Sequence, residues 1–456
     1  MPVHTDSTSE ERSGRWWPGR RTVWRWHFYA GLFCAPFVLI LATSGSLYLF
    51  RTEIEAWIDG GIDRSVQPGE PATASRQIEA ALAAVPGSTF VSYQVRPEGD
   101  GGAVRVFVAT AGRKHRVCVD PVSLSILDTV PEEERLMRRL FRLHGELWMG
   151  EYGSWLVELA ASWTILMILT GLILWWPRNA SGLGGVVYPR FSVGRRTWLR
   201  DLHAVTGVWI SVFAMLLLMS GLPWSRSWGS YLRLVRSLTG TTAGTQDWST
   251  GRRTEEGHEG HAVPRAPAGT IDLQAVDRIV ATVAPLRLDP PVLITPPRSG
   301  ASDAWTVKSE TANRPRRVDL RVAPTGDVVA RRGFMERHWI DRVVGYGIAL
   351  HEGRLFGWPN QLFGLLTATG LVLIVWSGIT MWWRRRPQGE LGAPTFVSGE
   401  RMGVAPILAI VLLAVTLPFF GASLLLVILL ERTLLAGFPS VRVWLGLPTR
   451  GAPLAR

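Results

Sequence analysis

The sequence predicts a polytopic α-helical membrane protein with a duplicated four-helix core, one extra C-terminal helix and two small α/β domains outside the bilayer. Three observations carry that expectation. Apolar runs recur along the chain at lengths that span a bilayer. Arginines bracket those runs. Four histidines repeat at matched spacings in two halves of the chain.

The first run, Phe28 to Phe50, has 23 residues (50 − 28 + 1). As a helix it is roughly 34 Å long at a rise of about 1.5 Å per residue. Others lie at Trp155–Trp176, Leu202–Leu222, Leu362–Trp383 and Val404–Leu430. Transmembrane helices are therefore expected at 23–50, within 144–176, at 202–223, within 351–383 and at 404–430. The first four belong to the repeat and the fifth does not. The first run is too long for the core of a signal peptide and has no small-x-small cleavage site, so it reads as a retained anchor.

The net charge is +12, nearly all of the positive charge being arginine. Arg12, Arg15, Arg20, Arg21 and Arg25 precede the first run. Arg178, Arg190, Arg195, Arg196 and Arg200 fill the connection 177–201, and Arg384, Arg385, Arg386 and Arg401 fill 384–403. This distribution follows membrane topology, so no nucleic-acid partner is expected. Short arginine-rich connections face the cytoplasm. The polar, basic tail 1–22 is then cytoplasmic and disordered, and segments 51–143 and 224–350 are outside. Five spans would put the tail 431–456 outside as well, where Arg432, Arg442, Arg450 and Arg456 run against the same rule. The side of the C-terminus stays open.

Cys34 falls inside the first span and Cys118 in an outer segment, so no disulfide joins them. No Cys-x-x-Cys-His occurs, which excludes covalent c-type haem attachment.

The two outer segments read alike. In the first, a helical stretch Ser75–Val85 precedes strand-like runs Thr89–Val95, Ala103–Ala109 and His115–Val119; Asp120-Pro121 then turns into Ser125–Leu127. In the second, a polar linker over 239–268 leads to a helical Leu273–Val283. Runs Pro291–Ile294, Ala304–Lys308 and Val318–Val322 follow, and Pro324-Thr325-Gly326 turns into Val328–Ala330. Each half is thus span, α/β segment, histidine, span, with both halves starting inside.

The histidines mark the repeat. Ser44-Gly45 follows His27 by 17 and 18 positions (44 − 27, 45 − 27), and Ser220-Gly221 follows His203 by the same (220 − 203, 221 − 203). His144 precedes Trp175-Trp176 by 31 (175 − 144), and His351 precedes Trp382-Trp383 by 31 (382 − 351). Thr170-Gly171 and Ser377-Gly378 also lie at equal offsets from them. Imidazole is a good axial ligand for haem iron, and two of them leave no open site, so such a haem transfers single electrons. Topology puts His27 and His203 at cytoplasmic span ends, and His144 and His351 at outer ones. Two bis-histidine b-type haems are therefore expected, His27 paired with His203 on the inner and His144 with His351 on the outer. A continuous helix from His144 to Trp175 would measure roughly 46 Å against a hydrocarbon core of about 30 Å. Gly145, Gly150 and Gly153, and in the second half Gly353, Gly357 and Pro359, mark breaks that leave each outer histidine on a short interfacial segment.

Each of these residues has a plainer reading. A single histidine at a span end is more often interfacial or structural than a ligand; the repeat raises the four above that. Arg25 and Arg200 on the inner side, and Arg142 and Arg354 on the outer, are candidates for haem propionates. They compete with topology for the first two and with ordinary surface charge for the others. The paired tryptophans suit interfacial belts better than electron relays. The Ser/Thr-Gly pairs suit close helix contact or room for a porphyrin, and Met149, Met219 and Met381 suit packing. His4, His115 and His338 read as solvated, and His258-x-x-His261 as a flexible loop lacking a third ligand. The Gly182–Gly185 run has no strand-helix context and is a loop. No catalytic residue set, Walker motif or flavin or nicotinamide domain is present, so the reductant comes from elsewhere.

The phrases "WRWHFYAGLF", "RLHGELWMG", "DLHAVTGVW" and "ALHEGRLFGWP", with the turns "VDPVSLSILD" and "LRVAPTGDVVA", resemble the PepSY-associated transmembrane family over roughly 20–387. The resemblance implies two PepSY-like periplasmic domains, the bacterial inner (cytoplasmic) membrane, and kinship with haem-dependent ferric-siderophore reductases, some of which hold two haems. The expected function is a di-haem electron carrier. Electrons pass from a cytoplasmic flavin reductase or quinol to a periplasmic acceptor, a ferric siderophore, whose iron is held less tightly once reduced. The alternative from another class is a non-enzymatic PepSY scaffold that restrains a periplasmic peptidase or another envelope protein. The fifth span lies outside the family pattern.

Overall fold

The computed structural model describes residues 19–97, 99, 101–177, 182–241, 271–297, 303–394 and 404–447. The tail 1–18 with His4, Arg12 and Arg15, the linker from 242 to 268 with His258 and His261, and Arg178, Arg401, Arg450 and Arg456 lie outside the described residues. Two compact units divide the chain: one within Met1–Gly45, His144–Leu232 and Leu365–Arg456, the other within Ser46–Leu143 and Arg233–Gly364.

The first unit holds the apolar helices. These are α1 (Arg20–Tyr48), α5 (Gly150–Trp175), α6 (Arg195–Gly221) and α10 (Trp358–Arg385). With Pro418–Gly437, five helical segments among the described residues are long and apolar enough to cross a membrane. The protein is a helical membrane protein. In α1 the buried residues Ala30, Cys34, Val38 and Ala42 recur every fourth position and form one small-residue ridge. Cys34 and Val38 pack with Val375 of α10, and Met167 and Trp163 of α5 close around them.

The expected single C-terminal helix 404–430 is a correction. It is broken into α11 (Val404–Thr416) and α12 (Pro418–Arg432). Pro418 is the cause: it has no N–H to continue the ladder, and it drives the preceding residue out of the helical region. Leu417 accordingly sits at φ −122°, ψ 79°. Gly421 then approaches Ala414 so closely that an added Cβ would lie 2.9 Å from its carbonyl oxygen. The chain folds back. Thr416 accepts a hydrogen bond from Trp228, beyond the C-terminal end of α6. Pro394, ahead of the hairpin, and Gly446, behind it, both accept hydrogen bonds from Arg25 near the start of α1. The C-terminal segment therefore leaves and returns to one end of the unit.

The second unit is built on one antiparallel sheet of order β4-β3-β2-β1-β5-β6-β7-β8. The strands are β1 (Thr89–Val95), β2 (Val104–Thr110), β3 (Arg113–Val119), β4 (Ile126–Pro131), β5 (Val292–Thr295), β6 (Trp305–Ser309), β7 (Val318–Val322) and β8 (Val328–Gly333). Two separate small domains were expected from sequence. Instead β1 and β5 pair, with Tyr93 opposite Ile294 and Val95 opposite Val292, and join both segments in a single sheet. Pairing satisfies two edges that would otherwise expose unbonded backbone. Helices α3 (Ala74–Ala84) and α8 (Gln274–Val283) cover one face. Ile78, Ala81, Val276 and Ile279 are fully buried in the core against Val106, Val117, Ile294 and Val307. Ser75 donates its N–H and hydroxyl to Asp277 at 2.8 and 2.6 Å, tying the helices together.

Two helices occupy stretches with no assigned element in the sequence reading, α2 (Arg51–Asp63) and α7 (Arg226–Leu238). Asp59 and Asp63 of α2 meet Arg105, Arg116 and Arg135 of the first strand segment, so charge docks this helix on the sheet. Beside them burial pushes the Cys118 thiol up to about 11, which keeps it protonated and unreactive.

Each expected outer histidine lies near the C-terminal end of a short helix: α4 (Leu136–Glu146), and α9 (Trp339–His351), capped by His338, whose ring accepts from the Ile340 N–H. Leu147 and Trp148 then adopt φ of 51° and 58°, and Gly353 and Gly357 φ of 71° and 65°, which turn the chain before α5 and α10. Arg354 in the second turn forms a two-pronged bond to Glu53 at 2.8 and 2.9 Å, and Gln361 adds another at 2.9 Å. The Arg354 bond, followed by that from Gln361, holds the Glu53 carboxyl at about 2. A depressed carboxyl stabilises the fold above its ordinary value near 4.5, and loses that contribution as pH falls through about 2. The thermal-stability gap between wild type and Glu53→Gln is therefore expected to stay constant from neutral pH to about 5 and to close below it. A gap that already closes near pH 6 would contradict the assignment.

Candidate cofactor site

His27 lies in the first turns of α1 and His203 in those of α6. Their ring centroids are 6.3 Å apart with planes at 88°. The two rings are held by equivalent means. His27 Nδ1 is 3.1 Å from the Met167 carbonyl and 3.1 Å from Thr170 Oγ1, both on α5. His203 Nδ1 is 3.0 Å from the Ile374 carbonyl and 3.2 Å from Ser377 Oγ, both on α10.

These partners fix the tautomer. A carbonyl oxygen only accepts, so each Nδ1 carries the proton and donates it. The Thr170 and Ser377 hydroxyls donate to backbone carbonyls of their own helices and present a lone pair to the same Nδ1. Each Nε2 keeps its lone pair, and among the described residues neither makes a hydrogen bond. A histidine whose outer nitrogen is held by a carbonyl is oriented to bind metal through the other. The centroid separation is on the scale of two opposed metal–imidazole bonds of about 2 Å each plus the ring radii. Among the described residues no group of three or more His, Cys, Asp or Glu could hold a metal ion. A metal between two imidazoles needs its other donors from a group that brings them, and the donor set fits a haem iron.

The Ser/Thr-Gly pairs, read from sequence as close helix contact or room for a porphyrin, seat histidine rings at three of their four positions. At Gly45, Gly171 and Gly378 a histidine ring lies against the helix backbone, which is why glycine follows the hydroxyl. A Cβ at Gly171 would stand 3.2 Å from His27 Cε1, and one at Gly378 3.3 Å from His203 Cε1. His144 is seated the same way on α1: Ser44 Oγ is 3.1 Å from its Nδ1, and a Cβ at Gly45 would stand 3.0 Å from its Cε1. The equal offsets were visible in sequence, but which histidine each pair serves needed the packing. Gly171→Ala is expected to push the His27 ring by a few tenths of an ångström, and Gly171→Val to displace it. An unchanged ring position in a crystal structure of the valine variant would overturn this account. His351 is the last residue of α9, in the second unit.

The four candidate propionate arginines are differently placed. Arg25 is buried and bound to the Pro394 and Gly446 carbonyls. Arg200 pairs with Asp201 at 2.9 Å, and Arg190 reaches the same carboxylate at 2.7 Å. Asp201, two residues before His203 in α6 and only 1% exposed, is a buried charge that sequence reasoning passed over. Arg354 is taken by Glu53. Arg142 lies on α4, two residues before His144. Trp175 and Trp382 donate to the carbonyls of Val186 and Leu391 in the following connections, while Trp176 and Trp383 are exposed. That arrangement suits a belt. Met149 and Met219 are exposed.

Compared with known protein families, the sequence matches the PepSY-associated TM region over residues 24–385. The chain belongs to this family. No curated protein matches it. The PepSY-associated TM region takes in all four histidines and the helices that seat them, and it ends before the hairpin of α11 and α12.

Proposed function

We propose that the protein is a transmembrane di-haem electron carrier of the bacterial inner membrane. It takes electrons from a cytoplasmic flavin reductase or quinol and delivers them to a periplasmic ferric siderophore. The observation that carries this is the His27–His203 pair, with both Nδ1 atoms engaged, both Nε2 atoms without a hydrogen bond among the described residues, and the rings 6.3 Å apart. The same seating recurs at His144, and the second haem is assigned to His144 and His351 by their matched positions in the sequence repeat. Haem, when bound, supplies reversible one-electron transfer. The chain's residues do the rest. His27 and His203 supply the axial nitrogens. The Met167 and Ile374 carbonyls and the Thr170 and Ser377 hydroxyls hold the rings in the ligating tautomer. Gly171 and Gly378 let the rings lie against the helices. No acid, base or nucleophile is needed, because release of iron follows from its reduction.

The test is an optical spectrum of the full chain purified with haem supplied, together with stopped-flow mixing of the reduced protein with a ferric siderophore. Two b-type haems per chain and oxidation by the siderophore are expected. Absence of a Soret band overturns the reading; haems that the siderophore does not oxidise overturn the acceptor alone. The scaffold alternative draws on β8, an edge strand where Val328 and Val329 are exposed and a partner's strand could pair. It predicts no haem, and the same spectrum separates the two.

A further inference from the structure

The hairpin of α11 and α12 lies beyond the family's matched region, yet the chain that follows it ends against the helix that carries His27. Arg25 and Tyr29 flank His27 by two residues on either side. The Arg25 guanidinium is buried, and its Nη1 donates to two main-chain carbonyls, that of Pro394 and, at 3.1 Å, that of Gly446. Tyr29 donates its hydroxyl to the Leu445 carbonyl at 2.5 Å, and the guanidinium carbon stands 5.6 Å from the Tyr29 ring centroid. The two acceptor segments are themselves joined: the Leu391 N–H donates to the Trp444 carbonyl at 3.0 Å, and Trp382 of α10 donates to the Leu391 carbonyl at 2.8 Å. A strap of 391–394 and 444–446 thus grips α1 at the turn bearing one histidine. Through Trp382 it is tied to α10, the helix whose Ile374 and Ser377 seat the other.

We propose that the C-terminal hairpin is a positioning clamp for the inner histidine pair. It fixes the first turns of α1 relative to α10, and so sets the orientation of His27 against His203 and the redox properties of whatever metal they share. This rests on the di-haem reading. Guanidinium donors on carbonyls suit that task, because a charged donor strengthens each bond and the two hydrogens of Nη1 are fixed in direction by the guanidinium plane. Arg25 acts here as a positioning residue through the backbone, not as a propionate ligand.

The test compares full-length wild type with Arg25→Gln, Arg25→Lys, Tyr29→Phe and a chain ending at Gln388, all loaded with haem. The readouts are the midpoint potential of each haem and the low-spin electron paramagnetic resonance signal, which reports axial-ligand orientation. Arg25→Gln and the shortened chain are expected to shift the potential and signal of one haem, the one lost in His27→Ala, and to leave the other unchanged. Tyr29→Phe should shift the same component by less. Arg25→Lys should shift it as well, since a lysine keeps the charge but not the planar group that fixes the direction of both donors. If the shortened chain fails to accumulate, Arg25→Gln and Tyr29→Phe decide. Wild-type potentials and signals in both point variants overturn the clamp while leaving the di-haem reading intact. A wild-type chain without haem overturns both.

Discussion

His27→Ala and His203→Ala should each abolish the same one of two haem components, and His144→Ala and His351→Ala the other. Loss is expected to be near complete for each component, because an alanine supplies no axial nitrogen and the remaining imidazole binds alone. The pattern is more informative than any single variant. His27 and His203 are on different helices and are held by different helices, α5 and α10, and the rings face one space. If both variants remove one absorption component, and the double variant removes no more, that space is the site. If His27→Ala and His144→Ala removed the same component, the pairing by face would be wrong.

The supporting shell gives a graded companion to that result. Thr170→Val and Ser377→Ala remove a hydroxyl 3.1 and 3.2 Å from Nδ1 but leave the carbonyl that takes the proton. Haem should remain bound, with affinity weakened by roughly 10- to 100-fold, the usual cost of losing an outer-shell partner of a metal-binding histidine. Equilibrium haem titration of the detergent-solubilised variants measures it. Affinity equal to wild type in both would mean the carbonyls alone hold the rings.

The elements were largely legible because their physics is local. The strand-like runs "TFVSYQV" and "VDLRV" match β1 and β7 to the residue, and apolar length marks the four repeated spans. The joining of β1 to β5 was not legible. Their pairing partner is nearly two hundred positions away, and a strand's sequence does not say whose edge it meets. The break at Leu417 was legible in principle, since Pro418 announces it, but uniform hydrophobicity on both sides disguised two helices as one span. At the site, matched spacing identified the four histidines and the Ser/Thr-Gly pairs separately. It could not match Thr170-Gly171 to His27 or Ser44-Gly45 to His144, because that depends on which helices pack together. Arg25 and Arg354 resembled propionate ligands for the same reason: their true acceptors, two main-chain carbonyls and Glu53, come from remote segments.

Removing either partner of the Arg236–Asp341 pair should cost the second unit about 3–5 kcal/mol, the range for breaking a buried ion pair. Arg236 of α7 is 1% exposed and Asp341 of α9 is 8% exposed, and two bonds of 2.6 and 3.1 Å join them. Arg236 also donates to the Thr241 carbonyl at 2.7 Å, which closes the end of α7. Asp341→Ala leaves a buried guanidinium with that carbonyl in place of a carboxylate, and desolvation is then uncompensated. Since Asp341 sits in the first turn of α9, the loss should appear as faster amide exchange along Trp339–His351, before any change in the sheet. The paired replacement Arg236→Met with Asp341→Leu removes both charges and should recover most of the protection. Because α9 ends at His351, the single variants should also blur the haem component lost in His351→Ala, and the paired replacement should sharpen it again. Normal exchange in Asp341→Ala would show that water reaches the pair and that the charges are not held apart from solvent.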